Sequence, residues 1–244
     1  MSALRIEWDG PVLRVTIDKP ERRNAFDAEL IRELTDAFAD VGDARVVVLA
    51  GEGESFCAGA DIEWQRSSID LSYEENVEDA LRLYRMLRAV DSCPAPVVAW
   101  IQGYCLGGGC GLAACVDVAV AAEDAVFGFS EVKLGIIPAV ISPFVLAKIG
   151  SGAARRYFLS GERFGSDVAL RIGLVSEIAS NADAIVEELL TSGPSAARAA
   201  KSLVRPHPGE GRELAELAAR MRTSDEGQDG LRAFLERRRP AWLD

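Results

Sequence analysis

SFCAGADI at residues 55–62 and GYCLGGGCG at residues 103–111 decide the reading of this chain. Each follows an apolar run of strand character, at 46–50 and 97–101, and the second leads directly into a helical pattern. Loops of small residues at strand ends expose backbone N–H groups. Two such loops aimed at one point form an oxyanion hole, which stabilises negative charge developing on a carbonyl oxygen. The pair therefore points to an enzyme acting on an activated carbonyl.

Outward from these loops, the chain alternates strand and helix signals. Leu4, Ile6 and Trp8 alternate with polar residues, Asp9 and Gly10 supply a hairpin turn, and Leu13, Val15 and Ile17 resume the alternation. Asp27 is an N-cap candidate for a helix carrying Leu30, Ile31, Leu34, Phe38 and Val41 on one face. Residues 63–76 are polar and lack periodicity. A helical pattern returns at 80–90 and is ended by Pro94 and Pro96. Strands are expected at 97–101, 116–121 and 126–129, with a helix opening at the glycine run. The repeating unit reads strand, strand, helix. From 151 onward helices are expected at 152–159, 166–173 with Ser166 as cap, 182–191, 196–204, 210–221 and 227–238. The result is a β-rich body to about residue 150 followed by a helical part.

Composition narrows the function. A length of 244 residues accommodates one large domain or a domain with an appendage. The formal net charge of −11 argues against a general binder of nucleic acid or anionic membrane, so a polyanionic ligand needs a local basic patch. The first residues lack the apolar core of a signal peptide, no run is long enough to span a bilayer, and a cytoplasmic location is expected. Five cysteines among apolar neighbours read as buried free thiols.

Several chemistries fail on inventory. The run 107–111 does not complete a dinucleotide fingerprint, because Leu112 holds the place of its last glycine, and no phosphate-loop Lys follows. Close packing of a helix start on neighbouring backbone is the structural alternative for these glycines. The single histidine, His207, stands between two prolines as a surface-loop residue, and no G-x-S-x-G occurs, which removes Ser-His-Asp hydrolysis. Cys105, Cys110 and Cys115 are five apart, rotate around a helix and define no metal site. What remains is a carbonyl held by N–H donors together with a carboxylate. Glu131, with Phe129, Val132 and Leu134 beside it, has surroundings that raise a carboxyl pKa toward that of a useful acid/base. A surface glutamate at a strand end is the alternative reading.

Taken jointly and in order, PERRNAF at 20–26, SFCAGADI, GYCLGGG at 103–109 and SEVKLGIIP at 130–138 resemble the enoyl-CoA hydratase/isomerase (crotonase) family over essentially the whole chain. The resemblance implies an α/β fold, a crotonase-like spiral of ββα turns over residues 1–185 that binds acyl-CoA, followed by a helical oligomerisation region over 186–244. It also implies a homotrimer or a dimer of trimers, a role in fatty-acid or branched-chain amino-acid catabolism, and no cofactor beyond the coenzyme A of the substrate. By motif position, the N–H groups of Ala58 and Gly108 form the oxyanion hole and Glu131 is the acid/base. Ala60, Asp61 and Ile62 line the adenine and pantetheine path, Phe234 and Arg237 help cover the coenzyme, and Arg22 and Arg23 add positive surface. Charged helix ends are the structural alternative for Arg237 and Arg238.

One departure matters. Hydratases of the family carry a first catalytic glutamate where this chain has Gly111, so Gly111 becomes part of the substrate surface and Glu131 stands alone. Hydration of a 2-enoyl-CoA is the favoured reading, through similarity to bacterial 3-methylglutaconyl-CoA hydratase-like proteins that also lack that glutamate. Isomerisation of a 3-enoyl to a 2-enoyl thioester with one base, and acyl-CoA binding without chemistry, remain open. Segments 64–76 and 139–144 are expected to build the tail pocket, with Arg66 or Lys133 available for a tail carboxylate.

Overall fold

The computed structural model describes residues 2–204 and 209–244, so His207 lies outside the described residues. Two compact units emerge, one of Met1–Cys93 with Val97–Ala182 and one of Pro94–Pro96 with Asp183–Asp244.

In the first unit, strands β1 (Leu4–Asp9) and β2 (Val12–Ile17) form the expected antiparallel hairpin. Helix α1 (Ala28–Ala39) starts where the Asp27 carboxylate accepts the Leu30 N–H at 2.8 Å, and it buries Leu30, Ile31, Leu34 and Phe38. Strand β3 (Val46–Gly51) follows. The polar stretch after it is ordered, contrary to its lack of periodicity: α2 (Ile62–Ser67) is capped by Asp61, and α3 (Tyr73–Ser92) begins two turns before its apolar face becomes visible. A reciprocal capping box between Ser72 and Glu75 nucleates α3, while burial is confined to Met86, Leu87 and Val90.

The next two turns of chain repeat one pattern. Strands β4 (Val97–Ile101) and β5 (Tyr104–Leu106) lead into α4 (Gly108–Cys115); β6 (Val118–Ala121) and β7 (Val126–Gly128) lead into α5 (Ser142–Ser160). In each turn the first strand joins the larger sheet and the second the smaller. The larger sheet has the order β1-β2-β3-β4-β6-β9 and is parallel from β2 onward; β5-β7-β8 form the smaller. VVVLAG and VVAWI read as unbroken apolar runs because inner parallel strands are covered on both faces.

Helix α5 runs farther than its sequence pattern and absorbs a break at Gly150, where φ is 67° and ψ 167°. It is followed by β8 (Arg163–Gly165), α6 (Ser166–Ile172) and β9 (Glu177–Ile178). Gly165, not Ser166, occupies the cap position of α6, and the Ser166 hydroxyl donates to the Ala122 carbonyl. The second unit carries α7 (Asp183–Thr191), α8 (Pro194–Leu203), α9 (Arg212–Thr223) and α10 (Asp225–Glu236). Ala196, Ala200 and Leu203 of α8 and Leu214, Leu217 and Met221 of α9 line an apolar groove.

Asn24 ties the start of the first unit to the loop after β3. Fully buried with φ 56°, it accepts the Lys19 N–H at 2.9 Å and donates to the carbonyls of Glu52 (2.9 Å) and Ser55 (2.6 Å). Asparagine tolerates this left-handed conformation better than most residues. Replacement by alanine removes three hydrogen bonds to backbone groups, of which the one to Ser55 is buried and the other two half-buried, each worth about 1 kcal/mol. Asn24→Ala is expected to lose about 3 kcal/mol of stability in urea unfolding; a loss near zero would contradict the role assigned to this side chain.

Candidate active site

The loop of residues 57–61 is held from two sides. On one side Cys57 donates to the Tyr104 carbonyl at 3.0 Å and accepts the Leu106 N–H at 3.0 Å. On the other, Phe26 donates to the Gly59 carbonyl at 2.7 Å and accepts the Asp61 N–H at 2.8 Å. Between them, the Ala58 N–H donates to the Arg23 carbonyl at 3.0 Å. This corrects the donor expected from motif position, because a hydrogen bond within the chain already occupies the Ala58 N–H. The Ala60 N–H takes no partner among the described residues.

The second loop abuts the first. A Cβ placed on Gly59, whose φ is 91°, would lie 2.9 Å from the Leu106 carbonyl oxygen and 3.8 Å from the Gly108 nitrogen, so only glycine allows this approach. Gly107 adopts φ 50° and donates to the Gly128 carbonyl at 2.8 Å. Helix α4 begins at the next residue, and its first internal hydrogen bond is Gly111 N–H to the Gly107 carbonyl. The Gly108 N–H therefore belongs to the open first turn, where backbone donors and the helix dipole favour negative charge.

Glu131 opens a 3-10 turn, Glu131–Leu134, directly after β7. Phe129, fully buried and packed edge-on against Phe158 at 4.9 Å, anchors the chain just before it. The carboxylate comes beside the second loop: Oε1 lies 3.2 Å from the place of a Cβ on Gly107. Oε2 is buried without a hydrogen-bond partner. Burial raises the carboxyl pKa above the ordinary glutamate value.

Ala58, Ala60, Gly108 and Glu131 all line one cavity of about 280 Å³ in the first unit. Its lining also takes in Trp64 of α2, Asn76, Asp79, Ala80 and Leu83 of α3, and residues 136–141. The other expected residues lie outside this lining. The Asp61 carboxylate accepts the Glu63 and Trp64 N–H groups at 2.8 and 3.3 Å and sits 3.5 Å from Arg22. Ile62 is exposed, and Arg23 stacks over the Tyr104 ring at 5.3 Å. Phe234 and Arg237, both exposed, belong to the second unit.

Gly111 does not reach the cavity surface either. A Cβ there would lie 2.5 Å from Ile141 Cγ2, so Ile141 fills the space into which a side chain would extend. Cys57, wholly buried beside the first loop, has its thiol pushed up to about 12 by loss of solvation, which keeps it protonated and removes it as a nucleophile. All five cysteines are buried thiols outside any disulfide. No group of three metal-ligating side chains occurs among the described residues. Reasoning from sequence missed Ala60 as a donor, Ile141 as the plug over Gly111, and Asp79 in the wall. The spacing of Phe26 against Ala60 offered no local signal.

The chain is similar to known proteins over nearly its whole length. The enoyl-CoA hydratase/isomerase family model matches residues 7–244. A Thermus thermophilus protein bearing an enoyl-CoA hydratase name is 37% identical, with 95% of this chain and 97% of that one covered. Among solved structures, an enoyl-CoA hydratase from Shewanella pealeana superposes with a TM-score of 0.91 at 36% identity, covering 98% of this chain and 96% of that one. Pseudomonas aeruginosa AtuE reaches 0.93 at 35% identity, covering 99% and 100%.

The buried carboxyl makes stability depend on pH. Between the ordinary glutamate value and its raised value the folded chain holds more protons at Glu131 than the unfolded chain, so stability is lost as pH rises through that window. Glu131→Gln is therefore expected to melt above the wild type at pH 8, with the difference vanishing below the ordinary glutamate value. Equal melting curves at pH 8 would show that the carboxylate is not penalised by its burial.

Proposed function

We propose that this chain, which belongs to the enoyl-CoA hydratase/isomerase family, adds water across the double bond of a 2-enoyl-CoA thioester. The observation carrying this reading is the partnerless Glu131 carboxylate oxygen buried at a cavity that also meets two vacant backbone donors. The thioester oxygen accepts hydrogen bonds from the Ala60 and Gly108 N–H groups, and charge moving onto it in an enolate-like transition state is stabilised there. Loss of one such donor typically costs roughly 3–4 kcal/mol in barrier.

Glu131 as carboxylate holds a water molecule and takes its proton while the oxygen bonds to the β carbon. The resulting carboxylic acid delivers that proton to the α carbon, which leaves a 3-hydroxyacyl-CoA and the original carboxylate. These steps add the hydroxyl and proton of one water with no net oxidation or reduction, so coenzyme A enters only as part of the substrate and the chemistry asks for no further cofactor. The five reduced thiols favour a cytoplasmic location, and no helix among the described residues is long and apolar enough to cross a membrane. The family resemblance extends the proposal to a homotrimer or dimer of trimers. It also suggests a 3-methylglutaconyl tail, although neither Arg66 nor Lys133 lines the cavity to meet its carboxylate.

A second reading rests on Ile141. With the Gly111 site filled, one carboxylate flanks the second loop, and one base suffices to carry a proton between the α and γ carbons of a 3-enoyl thioester. Incubation of 2-enoyl and 3-enoyl thioesters in heavy-oxygen water separates the two. Label in a 3-hydroxyacyl product is expected; unlabelled 2-enoyl product from the 3-enoyl thioester would replace hydration by isomerisation. Glu131→Gln is expected to lower kcat by about 10²–10⁴. Unchanged turnover would remove Glu131 from the mechanism, and acyl-CoA binding without turnover of any enoyl thioester would leave a binding protein.

A further inference from the structure

Helix α3 passes along the cavity from the plugged Gly111 outward. Leu87 lies 3.6 Å from the place of a Cβ on Gly111. Leu83, Ala80, Asp79 and Asn76 then line the cavity toward the start of the helix. At 1.5 Å of rise per residue, Asp79 stands about 12 Å along the axis from Leu87. It therefore lines the cavity at the end of α3 away from Gly111.

Asp79 is a poorly satisfied carboxylate. Its side chain is 15% exposed, it accepts no hydrogen bond among the described residues, and its ion-pair partner Arg82 stays 3.6 Å away with 59% of its own side chain in solvent. So exposed a partner offsets little of a charge facing a cavity. Asn76 brings no free donor, because its amide N–H groups already serve the Leu71 and Ser72 carbonyls at 3.1 and 3.0 Å. No lysine, arginine or histidine is among the described residues of the lining. An anion brought to this wall would lose its hydration, meet a like charge and find no cation among the lining residues.

We propose that the cavity selects acyl-CoA thioesters with uncharged tails, and that Asp79 is the residue that turns away tails ending in a carboxylate. The proposal rests on the acyl-CoA reading of the same site and rules against a 3-methylglutaconyl tail. It makes Asp79 a specificity determinant, separate from the proton chemistry of Glu131.

The test uses binding and turnover together. Valeryl-CoA and glutaryl-CoA, which differ by a terminal methyl against a carboxylate, are titrated calorimetrically into wild type, Asp79→Asn and Asp79→Lys. Wild type is expected to bind glutaryl-CoA at least about tenfold more weakly, Asp79→Asn to narrow the ratio to within about threefold, and Asp79→Lys to invert it. The ratio is internal to each variant, so a modest loss of stability leaves it readable, and melting curves confirm folding. Wild type binding both thioesters equally, an Asp79→Asn ratio unchanged from wild type, or failure to bind either thioester would overturn the proposal. Turnover of 2-pentenoyl-CoA and glutaconyl-CoA is measured in parallel. Discrimination in binding without hydration of either would sink the hydratase reading alone and leave the selection of tails standing.

Discussion

One strip of backbone, residues 57–61, is fastened along both edges, and the site depends on what that fastening leaves free. The smaller sheet takes the N–H and carbonyl of Cys57, while the segment ending at Phe26 takes the Ala58 N–H, the Gly59 carbonyl and the Asp61 N–H. Of the two remaining N–H groups, that of Gly59 turns to the Cys57 sulfur and that of Ala60 stays vacant. Because five hydrogen bonds define the strip, that donor needs no reorganisation when charge develops, the property that makes such donors effective. Asn24, from the same turn, extends the clamp to the loop after β3. Phe26 reaches the second loop as well, its ring sitting 2.8 Å from where a Cβ on Gly108 would be. A single short segment thus gauges both loops.

The chemistry that follows is asymmetric. The open start of α4 supplies a donor and a dipole, but at Gly111 the helix offers no side chain, and Ile141 packs into the space. In the proposed reaction proton movement falls to Glu131, whose raised affinity for its proton comes from burial without a partner. The same burial that readies the carboxyl for acid/base work costs stability when it ionises, as is common where activity is built on an unsatisfied group. Farther along the wall Asp79 shapes what the acyl chain carries, so charge appears twice in one cavity with two consequences.

Much of this was legible in the residues. The opening hairpin, α1 with its Asp27 cap, and β3 and β4 follow from alternation, capping and unbroken apolar runs. The glycine run and Glu131 marked the site because their types are costly unless used. Helix α2 and the first turns of α3 escaped periodicity, since their outer faces are solvated and bury little. Asp61 before α2 and the Ser72 and Glu75 pair were their readable signals. Which N–H of the first loop is vacant was not readable, because Ala58 and Ala60 differ only in what lies across from them, and that segment comes from residues 23–26. Ile141 and Asp79 were hidden for the same reason: each acts through a neighbour distant in sequence. The fold itself, shared with the enoyl-CoA hydratase of Shewanella pealeana, agrees with the α/β spiral of ββα turns read from the motifs.

In the proposed reaction Ala60 and Gly108, not Ala58, hold the reacting carbonyl. A crystal structure of the protein with a bound acyl-CoA measures this directly. The thioester oxygen is expected about 3 Å from both the Ala60 and Gly108 nitrogens, with the Ala58 N–H still bonded to the Arg23 carbonyl. A thioester oxygen bonded to the Ala58 nitrogen, or lying beyond hydrogen-bond reach of Ala60, would contradict it.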